Sequence, residues 1–217
     1  MTDLRSQYLD RIAETESRIA RACEKAQRDI DEITLVAVSK TKSSQEVDAI
    51  FSAGLKHFGE NKAQELIEKS QACNQEIIWH FIGNIQTNKL KKIAQYASVI
   101  HSVDSRKQLE IISNVEKSSE IFLQLSCDGN PSRGGVVVEE IKELYKYSQE
   151  LNVDVTGIMV VPPIQEDPKQ HFINAQHLSE ELGLTKLSMG MSNDFETAIE
   201  CGSTIIRVGS ALFGARS

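Results

Sequence analysis

The sequence predicts an α/β fold: a single (β/α)8 TIM-type barrel with an extra N-terminal helix. Three observations carry this reading. Short, nearly continuous apolar runs rich in β-branched residues recur eight times along the 217 residues. Segments with apolar residues at helical spacing separate them. No GxGxxG turn follows the first run, as an open doubly wound sheet would favour. Parallel strands covered by helices on both faces read as continuous apolar runs. Eight β/α units are the number that closes a barrel. The open doubly wound sheet is the alternative, and it would more often have fewer strands.

The elements follow in order. The charged segment MTDLRSQYLDRIAETESRI begins a long helix, roughly residues 3–30, that precedes the first strand and is expected to cover part of the barrel. The strands are ITLVAVS from Ile33, KHFGE from Lys56, IIWHFIG from Ile77 and SVIHSVD from Ser98. IFLQLSC from Ile121, VTGIMVV from Val155, KLSMG from Lys186 and STIIRVG from Ser203 complete the set. Between them, Val47, Ile50 and Phe51 mark one helix, and Ala63, Leu66 and Ile67 the next. Leu90, Ile93 and Ala94, then Leu109, Ile112 and Val115, mark two more. No linker, repeat or low-complexity stretch divides the chain, so residues 1–217 are expected to form one domain, with 1–30 as its covering helix. Two polar interruptions, CDGNPSRGG at 127–135 and PPIQEDPKQ at 162–170, follow strands and should lie on the C-terminal rim, where barrel enzymes place their chemistry.

Composition narrows the function. The chain is 40% hydrophobic and 25% charged, enough for a substantial core, and at 6% aromatic that core must be mainly aliphatic. A net charge of −7 argues against general nucleic-acid binding, which needs a basic field. The run Lys89, Lys91, Lys92 reads as a solvated helix face. Cys23, Cys73, Cys127 and Cys201 form no CxxC pair and no zinc-like cluster, so buried or idle thiols in a reducing compartment are expected. No apolar run reaches the length of a membrane span, and the N-terminus has no signal-peptide core. The expectation is a cytoplasmic protein that contacts neither membrane nor nucleic acid.

The predicted strand ends carry the chemistry. The first strand stops on Lys40, placing an amine at the lip of the sheet, where partial desolvation makes its nucleophilic form accessible. The second ends in Gly59-Glu60-Asn61, and the third, with Trp79-His80-Phe81, runs into Gly83-Asn84. The seventh ends Met189-Gly190-Met191-Ser192-Asn193-Asp194, with Ser192 or Asn193 as N-cap of a helix from Phe195, and with Asp194 steadying that helix start. The eighth ends Arg207-Val208-Gly209-Ser210, opening a second short helix. Helix N-termini after strands seven and eight make a recurrent phosphate site. Arg207 lies in an otherwise apolar strand, so it either pairs with a buried carboxylate or hydrogen-bonds a cofactor ring nitrogen. A lysine amine, a phosphate cradle and an arginine between them fit pyridoxal 5′-phosphate (PLP) held as a Schiff base.

On these residues the chain resembles the pyridoxal phosphate homeostasis proteins, whose fold is like the N-terminal barrel of alanine racemase. The likeness rests on AVSKTK at 37–42, HFGEN at 57–61, WHFIGNIQTNK at 79–89, GIMVVPP at 157–163, LSMGMSNDFETAI at 187–199 and IIRVGSALFGAR at 205–216. It implies that Lys40 is the Schiff-base lysine, that Asn61 lies beside the cofactor ring and that Met189 lines its pocket. It further implies that Ser192, Gly209 and Ser210 hold the phosphate and that Arg207 faces the pyridine nitrogen. An arginine there keeps that nitrogen unprotonated and weakens the ring as an electron sink. One departure is Arg133, where the family often has a lysine; arginine cannot form an imine, so a secondary cofactor site there is in doubt.

The expected function is therefore PLP binding and intracellular PLP homeostasis without robust catalysis. PLP-dependent apoenzymes would be the recipients, and the protein would be a monomer. The alternative is a PLP-dependent amino-acid racemase or related enzyme. Racemisation needs two bases on opposite faces of the α-carbon, and in alanine racemase the second comes from a β-domain that has no counterpart before Ser217. A phosphate-sugar barrel enzyme is a third reading, and it leaves Arg207 without a role. His80 is read as a core or rim histidine, with His57 and His101 treated alike, His171 and His177 as solvated, and Glu60 as a helix-dipole partner.

Overall fold

The computed structural model describes residues 4–214. Eight parallel strands close into a barrel in chain order, β1 to β8. They are β1 (Thr34–Val38), β2 (His57–Glu60), β3 (Ile78–Phe81), β4 (Val99–Val103), β5 (Glu120–Leu125), β6 (Val155–Val160), β7 (Lys186–Ser188) and β8 (Ile205–Val208). Every predicted apolar run supplies one strand. β8 closes on β1 with Val36 opposite Arg207. The helices are α1 (Leu4–Ala26), α2 (Ser44–Ser52), α3 (Ala63–Ala72), α4 (Thr87–Tyr96), α5 (Arg106–Ser113), α6 (Val138–Glu150), α7 (Lys169–Glu181), α8 (Phe195–Glu200) and α9 (Ser210–Phe213). The residues nearest the two ends, including Asp3, Ala215 and Arg216, lie outside the described residues.

α1 covers the closing edge of the barrel. Tyr8, Ile12, Thr15, Ile19 and Ala22 form its buried stripe, spaced three and four apart, and it packs on α2, α8 and α9. Arg18 grips both carboxylate oxygens of Glu196, at 2.7 and 2.9 Å. Arg28 donates to the carbonyls of Ile199 and Ser203, tying the end of α1 to the turn after α8. The helix stops earlier than the expected residue 30. Gln27 takes a left-handed φ of 55°, and a short 3-10 turn capped by Asp29 follows at Ile30–Glu32.

Side chains alternate across each strand. The outward set meets the helices in the main core, where Phe58, Leu66, Leu90 and Leu109 are fully buried. Val36, Val99, Phe122, Met159 and Ile205 form a second apolar cluster inside the barrel. Beside that cluster runs a polar file: His57, His80, His101, Ser188 and Arg207.

Candidate functional site

A cavity of about 890 Å³ opens at the C-terminal end of the strands, lined in part by Lys40, Asn61, Ser192, Arg207, Gly209 and Ser210. The segment 162–170 contributes Pro162, Pro163, Ile164, Glu166 and Pro168 to its wall. Six of the seven residues expected at the site are thus brought together.

The Lys40 side is built from a tight turn. Ser39 is fully buried, and Lys42 N donates to its carbonyl at 3.0 Å, reversing the chain around Lys40 and Thr41. Thr41 takes a left-handed φ of 66°, and its N–H donates to Glu65 Oε2 at 2.7 Å. Beneath the turn, Lys69 Nζ donates to the Ser39 carbonyl at 2.8 Å and to Glu60 Oε1 at 2.7 Å. Ser39 Oγ donates to the same Glu60 oxygen at 2.7 Å. Burial pushes the Glu60 carboxyl above the usual carboxylate range, against the lowering pull of Lys69 and Ser39. Glu60 does not serve a helix dipole as expected. It ends β2 and turns toward α3, where Lys69 meets it.

A β-branched residue at positive φ is strained by about 1–2 kcal/mol. Thr41→Gly should relieve that, while the freer unfolded chain costs about 0.5–1 kcal/mol, for a net gain of up to about 1.5 kcal/mol. The urea midpoint reads it directly; a lower midpoint would show that the threonine side chain, not the backbone, holds the turn.

Asn61 sits under the loop after β3. A Cβ on Gly83 would lie 2.0 Å from the Asn61 carbonyl oxygen, so only glycine permits that crossing. Asn61 Oδ1 is buried with no hydrogen-bond donor, a defect that costs about 1–3 kcal/mol unless something in the cavity supplies one.

Across the cavity, the loops after β7 and β8 are clipped together: Gly209 N donates to Ser192 Oγ at 3.3 Å. Gly190 has a φ of 95°, and a Cβ there would meet Ala198 at 2.7 Å, so the β7–α8 turn needs glycine. The N-cap of α8 is Asp194, not Ser192 or Asn193. Asp194 Oδ1 accepts from Met191 N at 2.5 Å, closing the loop rather than capping a helix N–H. Burial pushes the Asp194 carboxyl up, and its backbone hydrogen bond and nearby Arg207 oppose that.

Met189 is the expected site residue that the cavity lining lacks. Ser188 points into the barrel, so Met189 faces outward and is fully buried in the main core, and Met191 lines the cavity instead. Arg133 also lies off the cavity lining; it donates to the Val161 carbonyl and ties the two rim loops. Burial pushes the Cys127 thiol up to about 11, which keeps it an unreactive thiol.

Arg207 is only 4% exposed. Its guanidinium donates to the Ser188 hydroxyl at 2.5 Å and to the Val160 carbonyl at 2.9 Å, and neither acceptor is a carboxylate. Burial draws it down to about 10, opposed by the charge of Asp194. Behind it, His101 Nδ1 lies 2.7 Å from Ser188 Oγ, His80 Nδ1 lies 2.8 Å from His101 Nε2, and His57 Nδ1 lies 2.9 Å from His80 Nε2. In the sequence these histidines stand apart, each a core or rim residue by itself. The signal that joins them is that all three occupy inward positions on the neighbouring strands β2, β3 and β4.

Among the described residues, no group of histidine, cysteine or acidic side chains is placed to hold a metal ion, and no helix is long and apolar enough to cross a membrane.

Residues 15–217 match the family described as "Alanine racemase, N-terminal domain". The chain is 40% identical to the pyridoxal phosphate homeostasis protein of Aquifex aeolicus over 95% of its own length and 97% of the relative's. It belongs to the pyridoxal phosphate homeostasis protein family. A Pseudomonas aeruginosa member is 38% identical, over 97% of this chain and 96% of that one. PipY of Synechococcus elongatus, solved with PLP bound, superposes with a TM-score of 0.84 at 31% identity, covering 95% of this chain and 100% of PipY. An alanine racemase from E. faecalis, at 17% identity and a TM-score of 0.67, covers 93% of this chain and 58% of its own, and it shares the fold.

Proposed function

We propose that this protein binds PLP in the barrel mouth and serves its homeostasis by holding and releasing it, without robust catalysis of its own. The observation that carries this reading is Arg207, a buried guanidinium lining the cavity between the Lys40 turn and the clipped loops at Ser192 and Gly209. The residues fit the cofactor. Asn61 offers a buried acceptor without a donor, Ser192, Gly209 and Ser210 offer polar groups for a phosphate, and Lys40 offers a primary amine. The cofactor supplies an aldehyde that condenses reversibly with such an amine, releasing water.

Each side chain has one task. Lys40 would retain the cofactor covalently. Arg207 would donate toward its ring nitrogen and favour the unprotonated form of that atom, which disfavours carbanion chemistry. The name of the relatives supports a homeostatic role, and PLP in PipY supports the cofactor. A racemase would need a second base across from Lys40. Lys42, which also lines the cavity, is paired with Glu46 at 3.4 Å, and Asp194 is engaged with Met191 N. Recipient apoenzymes and a monomeric state belong to the same proposal.

The test is a visible spectrum with added PLP, then borohydride reduction and peptide mapping. A yellow protein labelled on Lys40 supports the reading. A folded, colourless protein without adduct sinks it and favours a phosphate-sugar barrel. Rapid exchange of amino-acid α-protons, lost in Lys40→Ala, would instead make it an enzyme.

A further inference from the structure

The file behind Arg207 has a direction. An arginine can only donate, so Ser188 Oγ must accept from it. The Ser188 hydroxyl then has one hydrogen to place, and its other partner is His101 Nδ1. If Ser188 donates there, His101 carries its proton on Nε2 and gives it to His80 Nδ1. His80 in turn carries its proton on Nε2 and gives it to His57 Nδ1. The opposite order would aim a His101 N–H at Ser188 and leave the serine hydrogen without an acceptor. Each His–His contact holds one proton, so neutral rings allow only these two uniform orders.

We propose that Ser188, His101, His80 and His57 are positioning residues for Arg207: a hydrogen-bonded file of fixed polarity, every ring in the Nε2–H tautomer, that orients the guanidinium toward the cavity from inside the barrel. This rests on the reading of Arg207 as the group that meets the cofactor ring.

Packing supports it. His80 and His101 are 1% and 0% exposed, and His101 stacks on Phe122 with centroids 4.9 Å apart and planes within 5°, which prevents the ring from turning over. The Val160 carbonyl holds the other Nη, so the guanidinium plane is pinned at two points. The surroundings also keep the rings neutral. Burial draws down all three, and His80 falls to about 3. His57 also feels Glu120 and Lys56, His80 feels His57 and Lys186, and His101 feels His80 and Arg207. Lys186 pairs with Glu120 at the far end of the barrel, and Asp194 acts on Arg207 at the mouth. His57 alone of the three is half-exposed, yet in this order its basic nitrogen faces His80 and only its N–H faces outward. Mild acid therefore finds no free lone pair on the file, and Arg207 keeps its aim.

The experiment is two-bond 1H–15N correlation of 15N-histidine-labelled full-length protein without cofactor, from about pH 5.5 to 8, the range in which a free histidine titrates. The expected result is three neutral rings, all Nε2–H. Ser188→Ala should release the order and scramble the His101 tautomer. It should also weaken PLP binding about tenfold, the loss of one hydrogen bond to a charged group. Ser188→Thr should restore both. An unchanged far-ultraviolet circular dichroism spectrum and urea midpoint report that the fold is retained. Should Ser188→Ala fail to fold, Arg207→Met removes the donor from the other end and must release the same order. A charged or Nδ1–H ring among His57, His80 and His101 in the unaltered protein overturns the proposal. So do tautomers that ignore both substitutions, or an unchanged PLP affinity in folded Ser188→Ala. Failure of the unaltered protein to bind PLP at all would sink the cofactor reading and leave the tautomer result standing.

Discussion

Lys40→Ala is expected to abolish the borohydride-fixed adduct and the visible band, and to weaken PLP binding by about 100-fold, the loss of a covalent link on top of contacts that persist. The remaining affinity would come from Arg207, held by Ser188, and from the loops joined by Gly209 and Ser192. Lys40→Arg separates charge from chemistry: it keeps a cation at the rim but cannot make the link, so it should behave like alanine in the reduction assay. Lys42→Ala is the matched control. Its amine also lines the cavity, yet it is engaged with Glu46 and lies over the Phe213 ring, and the adduct should survive its loss. Peptide mapping after reduction decides among them. An adduct that moves to Lys42 in the Lys40 variant would show that the mouth captures the aldehyde by proximity alone.

The sequence displays the strands clearly because both faces of each are covered. Buried β-branched runs such as ITLVAVS have few other homes than a parallel sheet. It displays the rim nearly as well, since Lys40, Asn61, Ser192, Arg207, Gly209 and Ser210 all follow or end strands, and every strand end in a barrel faces one cavity. It hides what depends on which face a residue takes. Met189 and Met191 look equivalent in LSMGMS, and only the inward turn of Ser188 sends the first into the core. The histidine file is hidden for the same reason: His57, His80 and His101 lie more than twenty residues apart in sequence and meet only through the strand register. Lys69 is hidden by its helix. On α3 it reads as a solvated residue, and the carboxylate that buries it comes from β2.

Lys69→Met is accordingly the stability change with the largest expected effect. The Lys69 side chain is 7% exposed and that of Glu60 0%, and the ammonium holds Glu60 Oε1, Glu65 Oε2 and the Ser39 carbonyl together. Glu60 Oε2 already lacks a partner, so only the Ser39 hydroxyl, on Oε1, is left to meet the charge. Removing one member of such a pair leaves the other buried and uncompensated, which costs about 3–5 kcal/mol. In a domain of this size that is a fall of roughly 6–20 °C in Tm. Adding Glu60→Gln should recover part of it, because a neutral amide can still accept from the Ser39 hydroxyl without a buried charge. A loss below about 1 kcal/mol in Lys69→Met would mean the pair behaves as a solvated surface bridge. The same ammonium anchors the Ser39 carbonyl just before Lys40, and Glu65 holds Thr41 N just after it. In folded Lys69→Met protein the PLP adduct on Lys40 should therefore form more slowly, and Glu60→Gln, which repairs the charge but not the anchor, should leave that rate unrestored.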